Sequence, residues 1–196
     1  MTTIRWCAQD TPVGRVALAW KDDVIVAAQM DHAMSRSTWE TKWAPGDVTS
    51  HLFAYLTARF GPDLKREEAG ERSAPARALT RYFRGDPTAL DELPADPGGT
   101  GFQAAVWNAL RHIPAGETRT YGQLAAEVGH PGSARAAGGA VGSNPIPLVI
   151  PCHRIVGADG RLTGFGGGVA RKHWLLRHEG VALRDDTAQL ALALAD

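Results

Sequence analysis

Apolar residues recur at two different periods along this chain, and the change of period divides it. Over residues 3–30 the runs are short and rich in β-formers: Ile4-Arg5-Trp6-Cys7-Ala8, Gly14-Arg15-Val16-Ala17-Leu18-Ala19-Trp20 and Val24-Ile25-Val26-Ala27-Ala28. Asp10-Thr11-Pro12 splits the first two runs and Lys21-Asp22-Asp23 turns into the third, which predicts a small antiparallel meander. From Asp47 the period becomes helical. Val48, Leu52, Phe53, Leu56 and Phe60 form one stripe, ended by Gly61-Pro62. Pro75 to Arg84 repeats the pattern with Leu79, Tyr82 and Phe83, ended by Gly85-Asp86-Pro87. Residues 31–45 show no clear period and hold Trp39 and Trp43, read as packing aromatics. The segment 91–99 is rich in Pro and Gly with no apolar period, and reads as a linker. The expected division is an N-terminal domain over 1–92, a C-terminal domain over 93–182 and a short apolar tail over 183–196, whose last ten residues read as a loosely attached helix or as disorder.

Beyond the linker the helix signals sharpen. Thr100-x-x-Gln103 and Thr120-x-x-Gln123 are capping boxes, the first opening a helix with Phe102, Val106, Trp107 and Leu110, the second a short helix from Tyr121 to Val128. Gly129-His130-Pro131-Gly132 makes a tight turn, and Ser133 is placed to cap a third helix starting at Ala134. Helix, glycine-containing turn, helix is the helix-turn-helix arrangement, though many helical proteins contain such a pair without binding DNA. The third helix, Ala134-Arg135-Ala136-Ala137-Gly138-Gly139-Ala140, is nearly all small residues. Each interior glycine costs about 1 kcal/mol against alanine. A bare face that lets another backbone come close, from protein or nucleic acid, would offset that cost. Only Arg135 is long enough to reach a base edge or enter a base stack. A turn over 142–145 then leads to a short apolar strand ending at Ile150, and Val169 to His178 forms a last helix closed by Gly180.

Composition narrows the class. At 44% hydrophobic and 21% charged, the 196 residues describe an ordinary globular protein of one large or two small domains. No run approaches the roughly 18 apolar residues of a membrane helix, and the first residues lack a basic then apolar leader. Cys7 and Cys152 make neither a disulfide framework nor a zinc site of familiar spacing, so a reducing cytoplasmic setting without a metal is expected. The net charge of zero hides a gradient: residues 97–182 carry eight Lys and Arg against four Asp and Glu, between acidic ends. That excess is a mild pointer to a polyanion.

Candidate chemistry centres on Pro151-Cys152-His153-Arg154. A thiol beside an imidazole on a proline-stiffened segment suits a nucleophile, although a buried cysteine acting as a small hydrophobe fits the same residues. Cys7, on the first strand, reads as packing.

These residues carry a resemblance. Pro151-Cys152-His153-Arg154, preceded by Asn144-Pro145 and followed by Leu175-Leu176-Arg177-His178-Glu179, resembles the signature of the O6-alkylguanine-DNA alkyltransferases in their bacterial form. Phe102-Gln103-Ala104-Ala105-Val106-Trp107 and Glu117-Thr118-Arg119-Thr120-Tyr121-Gly122-Gln123-Leu124-Ala125 are similar to that family too. The resemblance covers residues 100–181. The N-terminal part matches loosely, through its meander and a helix with Tyr82-Phe83-x-Gly85.

What the resemblance implies is an α+β protein. Its N-terminal domain would be a small antiparallel sheet with helices, ribonuclease-H-like. Its C-terminal domain would be mostly helical, winged-helix-like, with the helix-turn-helix. It implies irreversible, single-turnover transfer of an alkyl group from O6-alkylguanine, and from O4-alkylthymine as a further substrate, to Cys152. No cofactor is needed. The partner is double-stranded DNA, gripped in the minor groove by a monomer, with the damaged base flipped out. By the same resemblance Cys152 is the acceptor, His153 a base acting through a water, and Glu179 the group orienting it. Asn144 holds the turn near the nucleophile, and Tyr121 rotates a phosphate and donates a proton to the leaving guanine. Val141, Pro147, Ile155, Phe165 and Gly166 line the base pocket. Arg135 fills the vacated stack, with Gly122, Ala134, Ala136 and Gly138 also against DNA. Phe165 stands where many members have Tyr, so no hydroxyl is available there. Three other classes compete: a lesion binder without repair, which would lack Cys152; a thiol hydrolase, which leaves the helix-turn-helix unexplained; and a regulator, which should carry several base-reading side chains.

Overall fold

The computed structural model describes residues 2–30 and 47–183. The aperiodic stretch with Trp39 and Trp43 and the tail from 184 lie outside the described residues. Described residues up to 97, together with 145–149, form one compact unit, while 98–144 and 150–183 form a second.

The first unit is built on a four-stranded sheet. Strands β1 (Thr3–Thr11), β2 (Gly14–Lys21) and β3 (Val24–Met30) make the expected antiparallel meander. The β2–β3 turn holds Asp22 and Asp23 at φ 48° and 64°, the left-handed pair that a two-residue hairpin turn requires. A fourth strand, β4 (Lys65–Glu68), pairs parallel to β1 at the edge, giving the order β3-β2-β1-β4. Its sequence is Lys-Arg-Glu-Glu, with no apolar residue to mark it. Both faces of the central strands are covered, so the period-2 pattern is filled in by alanine and valine. Ile4, Ala17 and Ala19 pack with Val48, Leu52 and Leu56 of α1 (Val48–Phe60), and Trp6 meets Phe53 edge-to-face at 5.1 Å. Across the sheet Gln9 donates to the Ala76 carbonyl of α2 (Ala74–Phe83) at 3.1 Å.

Two connecting segments differ from the sequence expectation. The Pro/Gly-rich stretch at 91–99 is tied down in its middle: Ile25 N–H donates to the Pro94 carbonyl, and Asp96 N–H returns to the Ile25 carbonyl. The run before the cysteine is no strand. Pro145 and Pro147 lack donors, and Leu148 sits at φ 73°, which turns the chain. Ala28 N–H of β3 donates to its Pro145 carbonyl.

In the second unit α3 (Gly101–Arg111) and α4 (Tyr121–Glu127) both begin with complete capping boxes. Ser133 stands at the start of α5 (Ala134–Gly142), as expected, but makes no side-chain capping bond. The α4–α5 turn is closed by Gly129 at φ 82°. Its N–H reaches the Ala126 carbonyl, and His130 N–H reaches the Ala125 carbonyl, a Schellman ending that only a residue at ease with positive φ can make. Trp107 Nε1 donates to the Ala140 carbonyl at 2.8 Å, binding α3 to α5. Strand β5 (Arg119–Thr120) pairs parallel with β6 (Ile155–Val156), and α6 (Val169–His178) closes the unit. Among the described residues no helix is long and apolar enough to cross a membrane.

Candidate active site

The cysteine is placed by a turn that proline dictates. Pro151 has φ −79° and ψ 64°, and Cys152 N–H donates back to the Ile150 carbonyl at 2.8 Å, an inverse γ-turn. Asn144 Nδ2 donates to the same carbonyl at 2.8 Å, so one oxygen anchors both ends of the approach. Cys152 to Arg154 then form a single 3₁₀ turn. Neighbouring side chains diverge there, at about 120° per residue. Cys152 and His153 therefore leave the turn in different directions.

His153 is fully buried. Its Nε2 lies 2.9 Å from Glu179 Oε1. Arg154, also buried, donates Nε to Glu179 Oε2 at 2.8 Å and a second nitrogen to Oε1 at 2.9 Å, with a third bond of 2.6 Å to the Ile113 carbonyl. Burial alone would raise the Glu179 carboxyl, but His153 and Arg154 bring it down to about 2. Burial also lowers the His153 imidazole, against the upward pull of Glu179. At neutral pH the carboxylate is thus an anion that can only accept, so Nε2 of a neutral imidazole carries the proton. Nδ1 then presents a lone pair, and it is buried with no hydrogen-bond partner. Nδ1 is thus the nitrogen at which the imidazole can take up a proton.

Glu179 is presented by the end of α6. Gly180, at φ 84°, sends its N–H to the Arg177 carbonyl, and Val181 N–H reaches the Leu176 carbonyl. This Schellman ending fixes the residue before it. Burial holds the Cys152 thiol above its usual range, and the nearby Asn144 amide and Lys172 ammonium pull it back.

Lys172 escaped the sequence reading. It is fully buried on α6 and its ammonium meets three carbonyls: Ile155, Thr163 at 2.8 Å and Gly164 at 3.4 Å. Burial drops its pKa to about 8. A signal was present. Val169, Lys172, Leu176 and Glu179 lie three or four apart, so a cation and an acid both fall on the apolar stripe of one helix. Arg154, taken as structural, also belongs to this network through Glu179.

Other expected site residues fall into two groups. Tyr121 opens α4 partly buried, its ring within ordinary contact of Gly138 and its hydroxyl 3.5 Å from the Thr163 carbonyl. Phe165 stands edge-on to the His153 ring at 6.5 Å, and Gly166 beside it is exposed. Val141 is buried in the last turn of α5, and Ile155 is buried in β6. Pro147 belongs to the first unit, where it is partly buried. Arg135, Ala136 and Gly122 are exposed, Ala134 and Gly138 partly so. Among the described residues no group of three or more His, Cys, Asp and Glu could hold a metal ion. Cys7 lies in the first unit, where burial pushes its thiol up to about 11.

Comparison with known proteins agrees in both halves of the chain. A family model described as 6-O-methylguanine DNA methyltransferase, DNA binding domain, matches residues 101–181. A methylated-DNA–protein-cysteine methyltransferase of Shigella flexneri is 56% identical over 105 residues, covering 54% of this chain and 61% of that protein. The chain thus spans about three fifths of the length of that relative. The protein of the same name from Mycobacterium bovis is 39% identical over 173 residues, covering 87% of this chain and 88% of its own. The crystal structure of Mycobacterium tuberculosis OGT in complex with DNA superimposes with a TM-score of 0.67 at 34% identity, over 98% of this chain and 99% of that one. With the turn that bears Cys152, the buried His153–Glu179 pair and likeness over nearly its whole length, this chain belongs to the methylated-DNA–protein-cysteine methyltransferase family.

Proposed function

We propose that this protein reverses DNA alkylation directly, moving the alkyl group of O6-alkylguanine irreversibly to Cys152, one group per molecule. The observation that carries this is the buried Glu179–His153 pair with an unpartnered Nδ1, next to the turn that holds Cys152. The thiol proton passes through a water to His153 Nδ1. The sulfur attacks the alkyl carbon, the C–O6 bond breaks with its electrons going to O6, and a thioether forms. The departing guanine anion takes a proton from the Tyr121 hydroxyl. Glu179 stabilises the imidazolium, and Arg154 keeps Glu179 ionised. Asn144 fixes the approach to the cysteine.

The partner is double-stranded DNA, approached in the minor groove by α5 of a monomeric protein acting in the cytoplasm without a cofactor. Arg135 enters the base stack as the lesion flips out, while Gly122, Ala134, Ala136 and Gly138 let the backbone come close. Val141, Pro147, Ile155, Phe165 and Gly166 receive the base, and O4-alkylthymine is a second substrate. We assign a ribonuclease-H-like support domain to 1–92, a winged-helix-like domain carrying all of this chemistry to 93–182, and a tail to 183–196. The sheet covered on both faces and the helix-turn-helix beside β5 and β6 support those assignments.

The test is to incubate the protein with duplex DNA containing one O6-methylguanine and weigh it intact. A single methyl on Cys152, stoichiometric with protein, is expected. Multiple turnovers, or a methyl on another residue, would overturn the reading.

A further inference from the structure

An ammonium buried to exclusion of solvent needs its donors satisfied, because leaving one unpaired in the interior costs about 1–3 kcal/mol. Lys172 has three donors and meets three carbonyls. They come from two places. Ile155 follows directly on the turn that bears Cys152. Thr163 and Gly164 open the glycine-rich loop that carries Phe165 and Gly166. Within that loop Gly168 N–H closes onto the Phe165 carbonyl at 2.8 Å, and Arg171 reaches the Gly167 carbonyl at 3.3 Å. Leu162 before it is buried against Val156 and Leu176, and Phe165 meets the His153 ring, but Thr163, Gly164 and Gly166 are exposed. The Thr163 carbonyl is shared, accepting from Lys172 at 2.8 Å and facing the Tyr121 hydroxyl at 3.5 Å. One cation therefore sets the distance between the acceptor turn, the loop and Tyr121.

We propose that Lys172 is a positioning residue that registers the loop 163–166 against the Cys152 turn, so that Phe165, Gly166 and Tyr121 form one wall of the base pocket. This rests on the alkyl-transfer reading for what the pocket holds, and on the three Lys172 hydrogen bonds for how the wall is registered. A flexible glycine loop costs ordering entropy when a base docks, and three charge-assisted bonds meet that cost before the base arrives. The rival role for the same ammonium is that of a counter-ion to the Cys152 thiolate.

Lys172→Met keeps length and burial while removing every donor, and Lys172→Gln keeps an amide donor without the charge. Backbone amide exchange of the 161–168 segment is measured by mass spectrometry without DNA, beside transfer from free O6-benzylguanine and alkylation of Cys152 by iodoacetamide. Loss of the three bonds is expected to speed loop exchange by about tenfold or more and to slow transfer comparably, with Gln between Met and Lys. Iodoacetamide, which needs no pocket wall, reads the pull of the Lys172 ammonium on the Cys152 thiol apart from the loop, and is expected to slow by the same modest factor in Met and Gln. Unchanged loop exchange with a slower iodoacetamide reaction, equal in Met and Gln, would overturn the proposal and assign Lys172 to the thiolate. Should Lys172→Met lose its cooperative melt, the comparison of Gln with wild type decides alone. Loop exchange involves no alkyl group, so a wild-type protein that failed to take up methyl would sink the activity reading and leave this test standing.

Discussion

Glu179 serves two partners with one carboxylate: Oε1 is shared by His153 and Arg154, while Oε2 goes to Arg154. A buried anion matched this closely stays ionised, and it holds the imidazole in the tautomer that leaves Nδ1 free to take a proton. Replacing it by Gln keeps the shape and removes the charge. Glu179→Gln is therefore expected to slow methyl transfer by roughly 10- to 100-fold while the Kd for lesion DNA stays within about twofold, measured by single-turnover kinetics and fluorescence anisotropy. Acid stability follows from the same pair. The Glu179 pKa falls from 4.5 to about 2 on folding, so its contribution is complete above pH 4.5 and lost as the pH drops toward 2. His153, buried neutral with a lowered pKa, acts in the same direction, since the unfolded chain binds its proton first below pH 6.5. The melting temperature is expected to fall steadily from pH 6.5 downward, and the Glu179→Gln variant to show a shallower fall below pH 4.5.

Two helices differ in what they carry. α6 carries Lys172 and Glu179 on its inner stripe, each placed by helical spacing and by a glycine-ended C-terminus. α5 carries almost nothing, and that emptiness has a measurable cost. At Gly139 an added Cβ would meet nothing within 4 Å, and the residue is exposed in a helix interior. Gly139→Ala is thus expected to stabilise the fold by about 0.5–1 kcal/mol. If the bare face exists for close backbone approach, the same variant should bind lesion duplex more weakly. Tighter or equal binding, read from the same anisotropy titration, would leave the glycine without a DNA role. Gly138 is different: an added Cβ would rest 3.6 Å from the Tyr121 ring. That is an ordinary van der Waals contact, so a methyl there would rest on the ring without displacing it. β4 shows the opposite situation, an element invisible in the pattern because Lys-Arg-Glu-Glu pairs with β1 along the backbone without an apolar residue.

At the scale of the molecule, basic charge is concentrated in the part of the chain that holds Cys152. Residues 97–182 hold eight basic and four acidic side chains, and the buried Arg154 and Lys172 are neutralised by Glu179 and by carbonyls, unavailable to phosphates. Few cations remain for the backbone of DNA. Binding of duplex is expected to weaken with salt along a shallow log–log slope, roughly −2 to −4. Arg135 is exposed on the sparse helix. Arg135→Ala is expected to slow repair within duplex DNA at least about tenfold more than transfer from free O6-benzylguanine, which needs no flipping. Equal losses on both substrates would remove Arg135 from the base stack.

Much of this was legible in the residues themselves. Capping boxes at Thr100 and Thr120, the glycine endings at 129 and 180 and the period-2 meander are local devices, set by hydrogen bonds and packing within a few positions, and each appears where the sequence places it. The spaced motifs, the Pro-Cys-His-Arg run among them, likewise marked the family. Tertiary structure decided what depended on distant partners. It made the run before the cysteine a turn, since its prolines cannot pair as a strand. It brought Arg154 and His153 to a carboxylate 25 and 26 positions away. It also showed that Lys172, one basic residue among 21, has its ammonium enclosed by three carbonyls. Burial is a property of the folded neighbourhood, and burial is what turns these ordinary side chains into a matched acid, base and strut.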